Sequence, residues 1–202
     1  MSYAYQVVQI VYWLILATWL GSMVFLAAAA PVVFRTAREL DVRVPRYSSA
    51  NLIDQQGTIV GGAIVGSLLG RLAQIQIICA IAMLPLLLAQ CFVADFSGPQ
   101  QTATLLRLAL WLMASGLLFY EWRWHYPRAW QLRETYLQHA DEPEIANVAK
   151  EQFDHEHHRS EVIYQAGVFV LIGMVMFSAN IMPRGRSERG RSGGEVRTVL
   201  PE

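Results

Sequence analysis

Apolar residues in this chain come in four long runs, without the strict alternation of a half-buried strand or the narrow stripe of a soluble helix. The runs are Val7 to Ala30, Ile59 to Val93, Ala103 to Tyr120 and Val162 to Ile181. A hydrocarbon core of roughly 30 Å is crossed by about 20 apolar residues in a helix, and a lone segment there must satisfy its backbone internally. Each run therefore predicts a membrane-spanning helix. The predicted fold class is all-α, an integral membrane four-helix bundle, with spans at about 7–30, 59 or 72–93, 103–120 and 162–181.

The first run has no basic start and an apolar core too long for a cleaved leader, and Pro31 would obstruct cleavage after Ala30, so it reads as a retained span. A loop is expected from Pro31 to Thr58. The second run is too long for one crossing: Ile59 to Val93 would measure ~52 Å as one helix. Either the helix projects beyond the bilayer, or its first part lies at the interface or re-enters. Gly62, Gly66 and Gly70 form a small-residue stripe there that predicts close helix packing. Pro85 is expected to bend the same span.

Before the fourth span, Asp141, Pro143 and Glu144 read as a helix start, and no breaker follows. One helix is predicted from about Glu142 to Ile181, its first half standing outside the membrane as a long cytoplasmic extension. Trp122, Trp124, Tyr126 and Trp130 fall where an interfacial aromatic belt is expected.

Composition agrees with lipid as the solvent. Of 202 residues, 54% are hydrophobic and 16% charged, against roughly 25% charged in soluble domains. Basic and acidic residues balance at 16 each, which gives no reason to expect nucleic acid as a partner. Cys79 and Cys91 share one run, too far apart along a helix to bridge each other. One domain, 1–182, is expected, followed by a disordered Arg/Gly/Ser-rich tail at 183–202. Arginines at 35, 38, 43 and 46, and the basic residues between spans three and four, predict both long loops in the cytoplasm. The five tail arginines run against that orientation. The expected location is a membrane, the plasma membrane if the chain is bacterial.

Arg71 and Arg107, near or inside apolar runs, are expected to anchor at the interfaces, and Gln74, Gln76 and Gln90 to bond across helices. The segment "EQFDHEHHRSEVIY", Glu151 to Tyr164, sets histidines and acids directly against the last span. His125 beyond span three and His157 before span four fall at similar depth, which permits a cluster of Glu121, His125, Asp154, His157, His158 and Glu161. Imidazole and carboxylate suit a divalent transition metal, and paired histidines suit haem b. The competing reading is a charged helix whose acid–histidine pairs face water; on it, no cofactor is expected.

Trp19, Gly21, Phe25, Pro31 and Phe34, in "WLGSMVFLAAAAPVVFR", resemble the opening helix of the transmembrane-protein-205-like family. Phe153, His157 and Ser160 resemble that family's pattern before its last span, although Tyr164 stands where the family often has Asn. The resemblance implies a four-span fold with no established reaction, and an association with metal efflux.

No nucleophile–base constellation or phosphate loop appears, so a non-enzymatic role is expected. The leading expectation is an accessory or structural subunit, with the lipid bilayer and other membrane subunits, or further copies of the chain, as partners. The alternatives are a transporter or metal-handling protein using the histidine–acid cluster, and a b-type haem protein.

Overall fold

The computed structural model describes residues 3–40, 42, 44, 50–93 and 99–179. Five α-helices carry the fold: α1 Tyr3–Glu39, α2 Gln56–Val93, α3 Pro99–Tyr120, α4 Tyr126–Gln138 and α5 Pro143–Ala179. A 3-10 turn, Ala50–Gln55, leads into α2, and a π-helical turn, Glu121–His125, joins α3 to α4 without a break. Among the described residues there is no strand, and the all-α, four-span architecture stands.

All four rods are longer than a membrane crossing. α1, α2 and α5 have 37, 38 and 37 residues, and Thr102–Gln138 forms another continuous stretch of 37. At 1.5 Å per residue each is ~55 Å long, against a hydrocarbon core of roughly 30 Å. The excess forms a helical stalk at the end where the α1–α2 and α4–α5 connections lie, called here the loop end.

This length corrects one expectation and narrows another. The predicted loop from Pro31 is instead helix as far as Glu39, with Pro31 inside α1. Of the readings left open for 59–71, a re-entrant segment is ruled out and a single helix long enough to project past the bilayer agrees with the structure, because α2 runs unbroken from Gln56 through Pro85 to Val93. Neighbouring helices can offset the one backbone bond that proline removes. The tail at 183–202 lies outside the described residues.

The π turn has a local cause. Pro127 sits in the first turn of α4, and a proline ring clashes with the carbonyl four residues back. Widening the preceding turn by one residue relieves that clash, and the Tyr126 N–H bonds to the Glu121 carbonyl, five residues back.

α1 packs along α2, with close backbone approach at Gly57 and Gly61. A Cβ on Gly57 would lie 2.8 Å from Arg38 Cα, and one on Gly61 would lie 2.7 Å from Phe34 Cδ1. The stripe of Gly62, Gly66 and Gly70 has a different neighbour: it faces the Arg133, Trp130 and Tyr126 side chains of α4. It makes a shallow trough for large side chains rather than a backbone-to-backbone contact.

Tyr12, Leu16, Trp19 and Met23 of α1 meet Cys79, Met83 and Leu87 of α2, Ala114 of α3 and Leu171 and Met174 of α5 in the main core. A smaller cluster of Leu52, Ile59, Leu137 and Ala140 closes the loop end. The outer surface of the spans is apolar: Ile10, Leu14, Phe25, Ile78, Ile81, Leu112, Phe169 and Met176 are all exposed. A soluble protein would not display such a band, whereas lipid is its natural solvent.

Candidate functional site

Polar residues inside a membrane bundle are costly, so their positions point to sites. They gather here at two levels.

At the loop end, one face of α5 carries Glu156, Ser160, Tyr164 and Gly167, spaced by three or four residues so that they stack on one side of the helix. That face meets the π turn. Glu156, 5% exposed, places Oε2 2.9 Å from His125 Nδ1, out of line with the ring N–H. Its Oε1 receives Arg128 Nε at 3.2 Å, and Arg159 Nη1 lies 3.8 Å away. One turn nearer the spans, Ser160 Oγ donates to Glu121 Oε1 at 2.6 Å. Another turn on, the Tyr164 hydroxyl donates to the Met23 carbonyl at 2.9 Å. The wide turn aims Glu121 and His125 at the same α5 face, four residues apart.

Beside Glu121 lies a cavity of about 40 Å³, walled by Trp19, Gln76, Leu118, Glu121, Tyr164 and Gly167, among others. Two buried polar atoms on its walls have no hydrogen-bond partner among the described residues: Gln76 Nε2 on α2 and Glu121 Oε2 on the π turn.

The second level is at the other end of the bundle, near the start of α1 and the end of α5. Arg107, 1% exposed, gives Nη1 to Gln90 Oε1 at 2.7 Å and Nη2 to the Ser178 carbonyl at 3.3 Å, and it stands 5.3 Å from the centre of the Tyr12 ring. Gln90 Nε2 reaches Gln9 Oε1 at 3.2 Å, and the Tyr12 hydroxyl lies 2.8 Å from Ser178 Oγ. The expectation that Arg107 anchors at an interface is therefore wrong. Gln90, a main-chain carbonyl and an aromatic face supply internal partners, so the guanidinium need not reach outward. Gln90 bonds across helices as expected, while among the described residues Gln74 accepts a 3.5 Å bond from Arg71 within its own helix.

The six-residue cluster does not assemble. Glu121 goes to Ser160 and His125 to Glu156. His157 and His158 turn outward to share Glu161, at 3.4 and 3.6 Å. Asp154 is exposed and acts electrostatically on Tyr136 of α4. Among the described residues no three metal-ligating side chains converge. His125 and the pair at 157–158 do share a level, since His125 touches Glu156, but their imidazoles point apart.

Of the motif residues, Trp19 is buried in the core, Phe34 packs on Gly61, and Phe153 stacks on His157 at 5.7 Å between ring centres. Gly21 and Phe25 face outward, as does Pro31. Ser160 alone among them enters the polar face. Sequence reasoning missed Glu156 as the partner of His125.

On the stalk, Arg133 Nη2 donates to the Ile59 carbonyl at 3.1 Å and the Tyr136 hydroxyl to Gln55 Oε1 at 2.8 Å, fastening α4 to α2 and to the 3-10 turn before it. Burial raises the Tyr136 phenol above its ordinary range and Asp154 adds to this, while the Gln55 bond opposes both.

Fold and surface define a multi-pass membrane protein built as a four-helix bundle. Comparison with protein-family models, curated proteins and solved structures finds no match to this chain.

Proposed function

We propose that the chain is a non-catalytic membrane protein that serves as an accessory or scaffolding subunit, docking through its stalk to a larger membrane assembly. The observation that supports this reading is the open side of the α4–α5 hairpin. Leu132, Ile145, Val148 and Ala149 line a groove there, and Ile145 and Val148 are 43% and 54% exposed outside the predicted span. Apolar side chains at that position lie beyond the hydrocarbon and gain little from lipid, so a protein partner is their natural cover. The cavity beside Glu121, of about 40 Å³, has no room for a substrate larger than a few waters. The short motifs that resemble the transmembrane-protein-205-like family agree with a four-span protein of this kind.

The test is extraction in mild detergent followed by native mass measurement. The full chain is expected within a larger assembly, and Val148→Asp is expected to release it with its helical content intact. Recovery of the wild-type chain solely as a monomer would overturn the reading.

A further inference from the structure

The seam where α4 passes the glycines of α2 carries a second interaction surface, independent of the docking role. A Cβ on Gly70 would lie 3.5 Å from the Tyr126 hydroxyl, so the start of the second span and the end of the π turn share one level. Arg71 follows Gly70 on α2, and Arg123 stands three residues before Tyr126; both arginines are exposed. Among the described residues neither meets a carboxylate. Arg71 Nη1 makes a long 3.5 Å bond to Gln74 Oε1, and the Arg123 guanidinium lies 5.9 Å from the centre of the Trp124 ring. Arg35, Arg128 and Arg159, by contrast, each face a carboxylate. The Tyr126 hydroxyl adds a donor with no hydrogen-bond partner among the described residues. Two guanidinium forks and a hydroxyl at one level suit a phosphate.

The surface below the arginines decides which phosphate. Ile75 and Ile78 follow Arg71 on the same face of α2, 39% and 65% exposed. Phe119, also exposed, precedes Arg123 by about one turn. Each guanidinium therefore caps an apolar strip of a span, and Trp122 and Trp124 flank Arg123 as aromatics do at a headgroup layer. A free phosphate would use the charges and leave the strips uncovered. An acidic peptide would have to enter the hydrocarbon. A phospholipid brings both halves.

We propose that Arg71, Arg123 and the Tyr126 hydroxyl form a site for the headgroup phosphate of an anionic phospholipid in the loop-end leaflet, its acyl chains lying along Ile75, Ile78 and Phe119. A net-negative headgroup is preferred over a zwitterionic one, because choline would set its own cation against the two arginines.

The experiment is native mass spectrometry of the full chain released from nanodiscs holding phosphatidylglycerol and phosphatidylcholine in equal parts. An arginine near an anionic surface contributes roughly fivefold in affinity, so wild type should retain phosphatidylglycerol over phosphatidylcholine on the order of 20-fold. Arg71→Gln and Arg123→Gln should each lower that preference about fivefold, with helical content unchanged, and raised salt should weaken it. Arg35→Gln removes the same charge from an arginine paired with Glu39, away from the seam, and should leave the preference within about twofold. Equal retention of the two lipids, or an Arg35→Gln loss as large as that of Arg71→Gln, would overturn the proposal. So would displacement of the lipid by millimolar inorganic phosphate, which would make this a site for free anions, or a second copy of the chain retained there with no lipid.

Discussion

Removing Glu156 tests whether the polar face of α5 holds the loop end together. Its carboxylate is 7% exposed and faces three basic groups, but their contributions differ. Arg128 and Arg159 are 65% and 56% exposed, so each can turn to water, and such pairs contribute about 0–1 kcal/mol. His125 is 8% exposed and cannot. Leaving a buried polar group without its partner costs about 1–3 kcal/mol and the two exposed pairs add a little, so Glu156→Ala should cost ~2–3 kcal/mol. For a chain of this size that lowers Tm by about 4–12 °C. The assay is thermal unfolding in detergent followed by circular dichroism, run as a double-mutant cycle with His125→Ala. A coupling of ~1–2 kcal/mol is expected, with Glu161→Ala within about 0.5 kcal/mol of wild type as the exposed control. Additivity of Glu156→Ala and His125→Ala within about 0.5 kcal/mol would refute the buried contact.

Other predictions follow from the packing. Gly57→Ala and Gly61→Ala should each destabilise by ~1–3 kcal/mol, because the new methyl meets Arg38 Cα or the Phe34 ring; Gly116→Ala, with nothing within 4 Å, should gain about 0.5–1 kcal/mol, and unfolding in detergent that ranks them otherwise would contradict the helix contacts. Arg107→Leu should cost ~2–4 kcal/mol by leaving Gln90 and the Ser178 carbonyl short of a donor, and Arg107→Lys should cost less; equal stability of all three forms would refute an internal role. Tyr136 has a folded phenol pKa above the ordinary 10.0, so its contribution is complete below that pH and is lost as pH rises through the folded value. An ultraviolet alkaline titration should therefore lose a late-ionising phase in Tyr136→Phe, and ionisation of Tyr136 near its ordinary value would contradict its burial on the stalk.

The spans were legible because lipid demands long apolar helices and little else of the sequence. The helix from about Glu142 was readable from Pro143 and the lack of later breakers. Glu156 was hidden for a physical reason: in "FDHEHHRSE" every residue is polar, and a solvated face and a buried one then read alike. Yet the signal existed. Carrying the buried stripe of the last span backward from Leu171 through Gly167 and Tyr164 reaches Ser160 and then Glu156, and passes by His157. Pro127 likewise marked the wide turn that aims His125 inward. Arg107 was misplaced because one sequence shows the charge but not the Gln90 and Ser178 carbonyl groups that other helices bring to it. The glycines were recognised as packing residues, but which helix each faces depends on rotation about α2, which its almost uniformly apolar surface conceals.

The central claim is that four crossings place the turn before α2 and the α4–α5 connection on the same side of one membrane. Single cysteines at Asp54 and His139, both outside the spans, report this directly in sealed vesicles once Cys79 and Cys91 are replaced by alanine. An impermeant maleimide should label both positions from one side, the cytoplasmic side by the distribution of arginines, and neither from the other. Labelling of the two positions from opposite sides would contradict the fold and every contact between α4, α5 and α2 built upon it.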